Sequence, residues 1–259
     1  MELCSDNYYS AEAAREYYSA SQIKAFLDCE ARELATIEEL YQEEPSTALT
    51  VGNYVDEALT GNLDRWVLEH PEVFNKRTGE LKAEYRQADT MVMRALSDPV
   101  FTEYLRGEKQ RIFTGTIQGL PFRAKLDIYV PGVRIVDLKT CKDFKSGYAP
   151  GQGRLRFDEL YHYPLQLAIY QELVRQATGE KLPCYLACIT KEDPPDIRIF
   201  QYEQAELDTE MEILKQKLPR IDAVKQGIIE ARRCESCRYC RKSRVLTGPQ
   251  LITDLEAIE

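Results

Sequence analysis

No stretch of this chain approaches the roughly 20 consecutive apolar residues that a membrane-spanning helix needs, and its opening residues, MELCSDNYYSAEAAREYY, carry neither a basic leader nor an apolar run of signal-peptide type. These absences argue against a membrane partner and lead to the expectation of a cytoplasmic protein. Positive charge is also short: 34 Lys and Arg stand against 43 Asp and Glu, a net charge of −9. A broad basic surface for gripping DNA without regard to sequence is therefore not expected, because such binding rests on cations neutralising phosphates. A local cationic groove beside acidic metal ligands remains open. Histidine is scarce, with two residues, so His162 is read as a supporting group and a Cys–His nucleophile finds no support. There is no internal repeat and no low-complexity linker.

What the chain has is 44% hydrophobic content over 259 residues, enough for a core and for one domain spanning 1–259. Three parts can be read in it: a helical part at 19–106, a sheet core at 107–203, and a helix with a Cys motif at 204–259. Eight Cys would suggest disulfides only in a secreted chain, so clustered Cys is read as metal-binding.

Ser19 and Ser21 are candidate N-caps ahead of Ile23, Phe26, Leu27, Leu34, Ile37 and Leu40, a stripe that predicts one long helix or two short ones with Cys29 inside. A short helix from Thr50 stops at Gly61, and another runs from Leu81 to Leu96 ahead of Pro99. After Gly107, β-rich runs at 111–117, 122–130 and 133–139 are joined by turn signals at Gln118-Gly119 and Pro131-Gly132, which predicts an antiparallel meander. A Gly-rich loop from Ser146 to Arg156, a helix over 158–177, strands at 184–190 and 197–202, and a helix over 207–228 follow. The Cys-rich tail comes last, with a weakly structured end.

Strand side chains alternate, so Asp137 and Lys139 point to one face and Leu138 to the other. With the turn centred on Pro131-Gly132, residues whose numbers sum to about 263 or 264 face each other, which sets Asp127 opposite Asp137. Two carboxylates beside one lysine repel unless a cation sits between them, and hard oxygen ligands suit Mg²⁺ or Mn²⁺. The plain alternative is a solvated strand end with an ion pair worth about 0.5 kcal/mol.

Leu126-Asp127 followed by Asp137-Leu138-Lys139-Thr140 has flanks that extend the pattern. Gly52-x-x-x-Asp56 lies upstream, and Gln166-x-x-x-Tyr170 lies downstream within Tyr161-His162-Tyr163-Pro164-Leu165-Gln166. In this order, from about Ser19 to Cys240, the motifs resemble the PD-(D/E)xK superfamily of nucleases, in the RecB-like and exodeoxyribonuclease VIII-like branch that includes phage exonucleases. Asp56 stands where many relatives have His.

The resemblance implies an α/β fold of the PD-(D/E)xK, restriction-endonuclease-like kind: a central mixed sheet with an antiparallel meander, flanked by helices, with N-terminal helices and a C-terminal Cys-rich tail. It implies a Mg²⁺- or Mn²⁺-dependent deoxyribonuclease, with Asp56, Asp127, Asp137 and the Leu138 carbonyl around the metal. Lys139 would orient or deprotonate the attacking water or stabilise charge at phosphorus. Gln166 would orient a carboxylate or water, and Tyr170 would contact DNA or a ligand. An exonuclease acting at duplex ends in phage-type recombination is implied, with DNA and a single-strand annealing protein as partners and a homo-oligomer as its assembly. A RecB-like single-strand or structure-selective nuclease is one alternative. A catalytically idle DNA-binding or metal-stapled module is another, and the joint retention of Asp127, Asp137 and Lys139 speaks against it.

Lys142, Lys145, Arg154 and Arg156 flank the Gly-rich loop. A solvated loop is their plain reading; at the mouth of the implied site they become candidate DNA contacts. Cys234-x-x-Cys237-x-x-Cys240 offers three thiolates, one short of a closed tetrahedral site. The segment Phe26-Leu27-Asp28-Cys29-Glu30-Ala31-Arg32 resembles the one that supplies the distant ligand in RecB-like iron-sulfur nucleases. The resemblance thus implies a [4Fe–4S] cluster on Cys29, Cys234, Cys237 and Cys240, with Cys₄ Zn²⁺ as the rival and unligated thiols as the plain reading. Cys184 and Cys188 fall on one strand face and are read as core.

Overall fold

A computed structural model describes residues 1–149, 151–246, 248–249 and 251–252, so the last part of the expected loose tail lies outside the described residues. Strands β1 (Glu108–Ile117), β2 (Leu120–Val130) and β3 (Arg134–Cys141) form the expected meander. Gln118 and Gly119, at φ 51° and 79°, make the two-residue turn between β1 and β2 that the right-handed twist of a hairpin favours. Strands β4 (Gly147–Ala149) and β5 (Gly153–Leu155) pair with each other, while β6 (Cys184–Thr190) runs parallel to β3 and β7 (Ile197–Gln201) antiparallel to β6. Among the described residues the main sheet has the order β1-β2-β3-β6-β7.

Helices α1 (Ala11–Glu16), α2 (Ala20–Asp28), α3 (Glu30–Ile37), α4 (Thr47–Thr60), α5 (Leu63–Glu69), α6 (Ala83–Leu96) and α7 (Pro99–Tyr104) precede the sheet. Between β5 and β6 come α8 (Phe157–Leu160) and α9 (Tyr163–Thr178); α10 (Gln204–Lys225) and α11 (Arg238–Lys242) close the described chain. No helix among the described residues is long and apolar enough to cross a membrane.

Two apolar clusters sandwich the sheet. Ile135 of β3 packs in the first with α9, α2 and α10, and Val136 and Leu138 pack in the second with α4 and α6. Helix α9 is buried all round over Tyr163–Gln171, where it lies between sheet and helices and its sequence is mostly apolar, while its last turns carry the exposed Arg175 and Gln176. Each Leu or Ile it buries fully stabilises the fold by about 1.5–3 kcal/mol.

The stripe from Ile23 to Ile37 is two short helices, one of the two expected readings, but Cys29 lies between them rather than inside a helix, at φ −165° and ψ 106°, where an extended residue turns the chain. The Gly-rich stretch Ser146–Arg156 is a short hairpin, since Gly151 and Gly153, both at positive φ, let the chain reverse.

Candidate active site

The pairing of β2 with β3 begins at Val130 and Arg134 and reaches only Ile128 opposite Val136. Beyond that pair the strands part, and the next residues are the two carboxylates. Leu126 joins the first core cluster but Ile128 the second, although residues two apart on a regular strand share a face; β2 therefore twists at Asp127. The Asp127 Oδ2 accepts a 2.9 Å hydrogen bond from Leu138 N, in place of a sheet carbonyl. Asp137 is 1% exposed, and Lys139 Nζ stands 2.7 Å from its Oδ2 and donates to Leu138 O at 3.2 Å.

Helix α4 delivers the third carboxylate. Gly52 packs on β3 so closely that a methyl there would lie 3.1 Å from Thr140 Oγ1, and one helical turn on, Asp56 faces the site. The Gly-x-x-x-Asp spacing is thus a device for close approach as much as a ligand motif. Among the described residues Asp56 Oδ1 is buried with no hydrogen-bond partner. Burial raises the Asp56 carboxyl to about 6, against the pull of Lys139. Burial and the charge of Asp137 hold Asp127 well above the usual carboxylate range. Burial would lower Lys139, but Asp137 and Asp127 outweigh it and hold the ammonium above its ordinary value. Three carboxylates with one lysine, with Asp56 Oδ1 unpartnered and Asp137 Oδ2 met only by the lysine ammonium, fit a hard divalent cation through Asp56, Asp127 and Asp137.

From α9, Gln166 Nε2 donates to Asp137 Oδ1 and lies within hydrogen-bond reach of Tyr170 Oη, both at 2.8 Å. Gln166 is buried, so its amide must be satisfied, and its Oε1 accepts from Lys24 Nζ of α2 at 2.5 Å. Burial, with Lys139 nearby, lowers Lys24 to about 7. These groups line or adjoin a cavity of 620 Å³ that holds Asp56, Asp127, Lys139, Gln166 and Tyr170.

The expected cations are elsewhere. Arg156 is held by Asp158 and Glu206 and lines a separate 630 Å³ cavity with Phe144 and Phe200, and Arg154 donates to Ser146 Oγ. Neither these two nor the exposed Lys142 and Lys145 line the carboxylate cavity. Arg123 and Lys125 do. Sequence reading passed over both, though their positions two and four residues before Asp127 on one strand were a usable signal. Lys24, inside an ordinary helical stripe, left none.

At the end of α2, Cys29 at the helix break meets the loop around α11. The Sγ atoms of Cys29, Cys234, Cys237 and Cys240 all lie within 4.8 Å of one another, with Cys29 to Cys240 at 3.6 Å and Cys234 to Cys240 at 3.9 Å. Backbone N–H groups of Cys237 and Cys240 point at Cys234 Sγ and Cys237 Sγ, at 3.3 and 3.4 Å, an arrangement that favours thiolates. Four sulfurs about 2.3 Å from one tetrahedral ion stand about 3.8 Å apart, and the observed spacing fits that geometry. Cys184 and Cys188 are fully buried in the first core cluster.

A family model described as a PDDEXK-like domain of unknown function (DUF3799) matches residues 19–243. The crystal structure of a protein from Eubacterium rectale, described as a "putative exonuclease", aligns with 99% of this chain and 99% of its own at 42% identity and a TM-score of 0.95. A second solved structure, of SSO0001, aligns with 85% of this chain and 92% of its own at 15% identity, and its TM-score of 0.29 carries no argument. No curated protein matches the chain.

Proposed function

The chain belongs to the PDDEXK-like family, and on that premise we propose that its 259 residues form one Mg²⁺- or Mn²⁺-dependent nuclease domain that removes nucleotides from DNA ends. The observation that carries this reading is the convergence of Asp56, Asp127 and Lys139 on one cavity, with the buried Asp137 paired to Lys139 at 2.7 Å behind them and an oxygen of Asp56 unpartnered. A bound divalent cation would lower the pKa of an attacking water and offset charge that develops on phosphorus.

The chain's own groups have distinct parts. Asp56, Asp127, Asp137 and the Leu138 carbonyl supply oxygen ligands. Gln166 fixes the rotamer of Asp137 through its amide, and Lys24 in turn fixes which end of that amide faces the carboxylate. Lys139, held protonated beside Asp137, orients the water or donates to a phosphoryl oxygen, so its role is electrostatic rather than that of a free base. Tyr170, within reach of the Gln166 amide, lines the cavity and contacts the DNA there.

For the cysteines, the sulfur spacing favours one Zn²⁺ over the [4Fe–4S] cluster, because thiolates on separate irons stand farther apart than thiolates sharing one ion. End-labelled linear duplex, single-stranded and closed circular DNA with Mg²⁺ or Mn²⁺ test the enzyme reading. Shortening of linear DNA with circles left intact supports an exonuclease, and cleaved circles support the structure-selective alternative. DNA left as intact by wild type as by Lys139→Ala overturns the nuclease reading in favour of an idle binding module. Elemental analysis of anaerobically purified protein decides the cysteine site.

A further inference from the structure

Arg123 stands in the same cavity as the carboxylates, 5% exposed, and among the described residues its Nε and Nη1 have no hydrogen-bond partner. A guanidinium stays charged whatever its surroundings, so burying it unpaired is costly unless an anion meets it. The face of Tyr8, 4.8 Å away, offsets only part of that cost. Glu33 also lines the cavity, but burial raises its carboxyl to about 7, which leaves it able to take a proton beside an anion.

Phe122, Ala124 and Leu126 enter the core, so Arg123 and Lys125 alternate onto the opposite side of β2, the side that leads to Asp127. Lys125 Nζ lies over the Tyr9 ring at 4.6 Å, and Tyr9 is 75% exposed, which leaves ring surface on which a base can stack. At about 3.3 Å of rise per residue, Arg123 is about 13 Å from Asp127 along the strand. Duplex rise is about 3.4 Å per nucleotide, so an anion at Arg123 is not the phosphate at the carboxylates but one a few nucleotides away. Beyond Arg123 the cavity is walled by the connector before α2: Arg123 N donates to Tyr18 O, and Tyr18 N donates to Pro121 O, both at 2.8 Å.

We propose that Arg123, assisted by Lys125, forms a second phosphate subsite that holds a phosphate group of the bound strand away from the scissile one. This rests on the nuclease reading. The phosphate is either a backbone diester or the monoester at a strand end; both present the same oxygens to the guanidinium.

The test is fluorescence anisotropy of a labelled oligonucleotide spanning both ends of the cavity, bound to the full chain in EDTA, beside Mn²⁺-dependent turnover of bis-p-nitrophenyl phosphate, which spans only the carboxylates. Arg123→Gln should weaken oligonucleotide binding about ten-fold or more, Arg123→Lys should recover part of it, and turnover of the small diester should stay within about two-fold. Without DNA, Arg123→Gln should keep or raise the Tm, because it removes an unpaired buried charge. A folded Arg123→Gln variant that binds as wild type does, or a large loss of stability on that substitution, overturns the subsite. Lys125→Gln gives the second reading: several-fold weaker binding supports it, and unchanged binding counts against it. Comparing 5′-phosphate, 3′-phosphate and hydroxyl ends separates the sources, since a dependence on one end assigns the monoester and equal binding assigns the backbone. Wild type that binds oligonucleotide through Arg123 yet cleaves no diester would defeat the nuclease reading while leaving the subsite standing.

Discussion

The carboxylate centre and the cysteine centre both gather ligands from distant parts of the chain, yet they are supported in opposite ways. Asp127 and Asp137 sit on adjoining strands of the main sheet, and Lys139, Leu138 N and Gln166 already bond to them. The cation that these carboxylates need is partly supplied by the lysine, so the site keeps its shape without metal. Cys29 and Cys240 are 211 positions apart, and around them are a helix break, a loop and a helix of five residues. A part-buried bidentate pair of Arg220 with Glu30, which also accepts from Arg232 N, and an edge contact of Tyr41 with Tyr239 add support. What differs is the supporting scaffold, and with it what metal removal does: the first centre should lose chemistry and keep its fold, and the second should lose its fold locally.

The strongest break of the comparison is at the first centre. Asp137→Asn should lower DNA hydrolysis on the order of a thousand-fold, with the Tm within a few degrees of wild type, as read by initial rates and calorimetry. Next, Cys29→Ser should abolish stoichiometric metal at the second centre and cost a few kcal/mol, which is about 5–10 °C in Tm for a chain of this size. If Cys29→Ser keeps both its metal and its Tm, the cysteine centre is not a staple.

A smaller effect separates approach from ligation. Gly52→Ala improves helix propensity by about 0.5–1 kcal/mol, but its methyl, 3.1 Å from Thr140 Oγ1, should push α4 off β3 and lower the rate about ten-fold while the Tm stays near wild type. The smallest effect is in pH. Burial raises the Asp56 carboxyl from 3.8 to about 6, so in metal-free protein this group's contribution to stability is full below about pH 4 and is lost as pH rises through about 6. Above that range the ionised carboxylate is ready for a cation. Mn²⁺ should therefore raise the Tm by a few degrees at pH 7.5 and by much less at pH 4.5; equal shifts at both would remove Asp56 from the ligand set.

Much of this was legible beforehand because it depends on local periodicity. The meander, its two turns and its register follow from strand alternation and turn residues, and the structure carries that register to Ile128 opposite Val136, where the strands part just before Asp127 and Asp137. Gly52 to Asp56 and Gln166 to Tyr170 were readable as i and i+4 pairs on helices. The cations were not. Lys142, Lys145, Arg154 and Arg156 follow Lys139 closely in sequence, but none lines the carboxylate cavity, and the acidic partners of Arg156 hold it at another cavity.

By itself the sequence determined the main strands and long helices and the meander's register, because these are set by residue type at short spacing, and it made Asp56, Asp127, Asp137 and the four cysteines the candidate ligands. Only the tertiary structure decided where β2 twists, that α2 breaks at Cys29 so its thiol reaches Cys240, and that Arg123 and Lys125 line the carboxylate cavity while Lys24 bonds to Gln166 beside it. Those outcomes depend on how layers pack and which charges burial leaves unpaired, and neither is a property of any short stretch of chain.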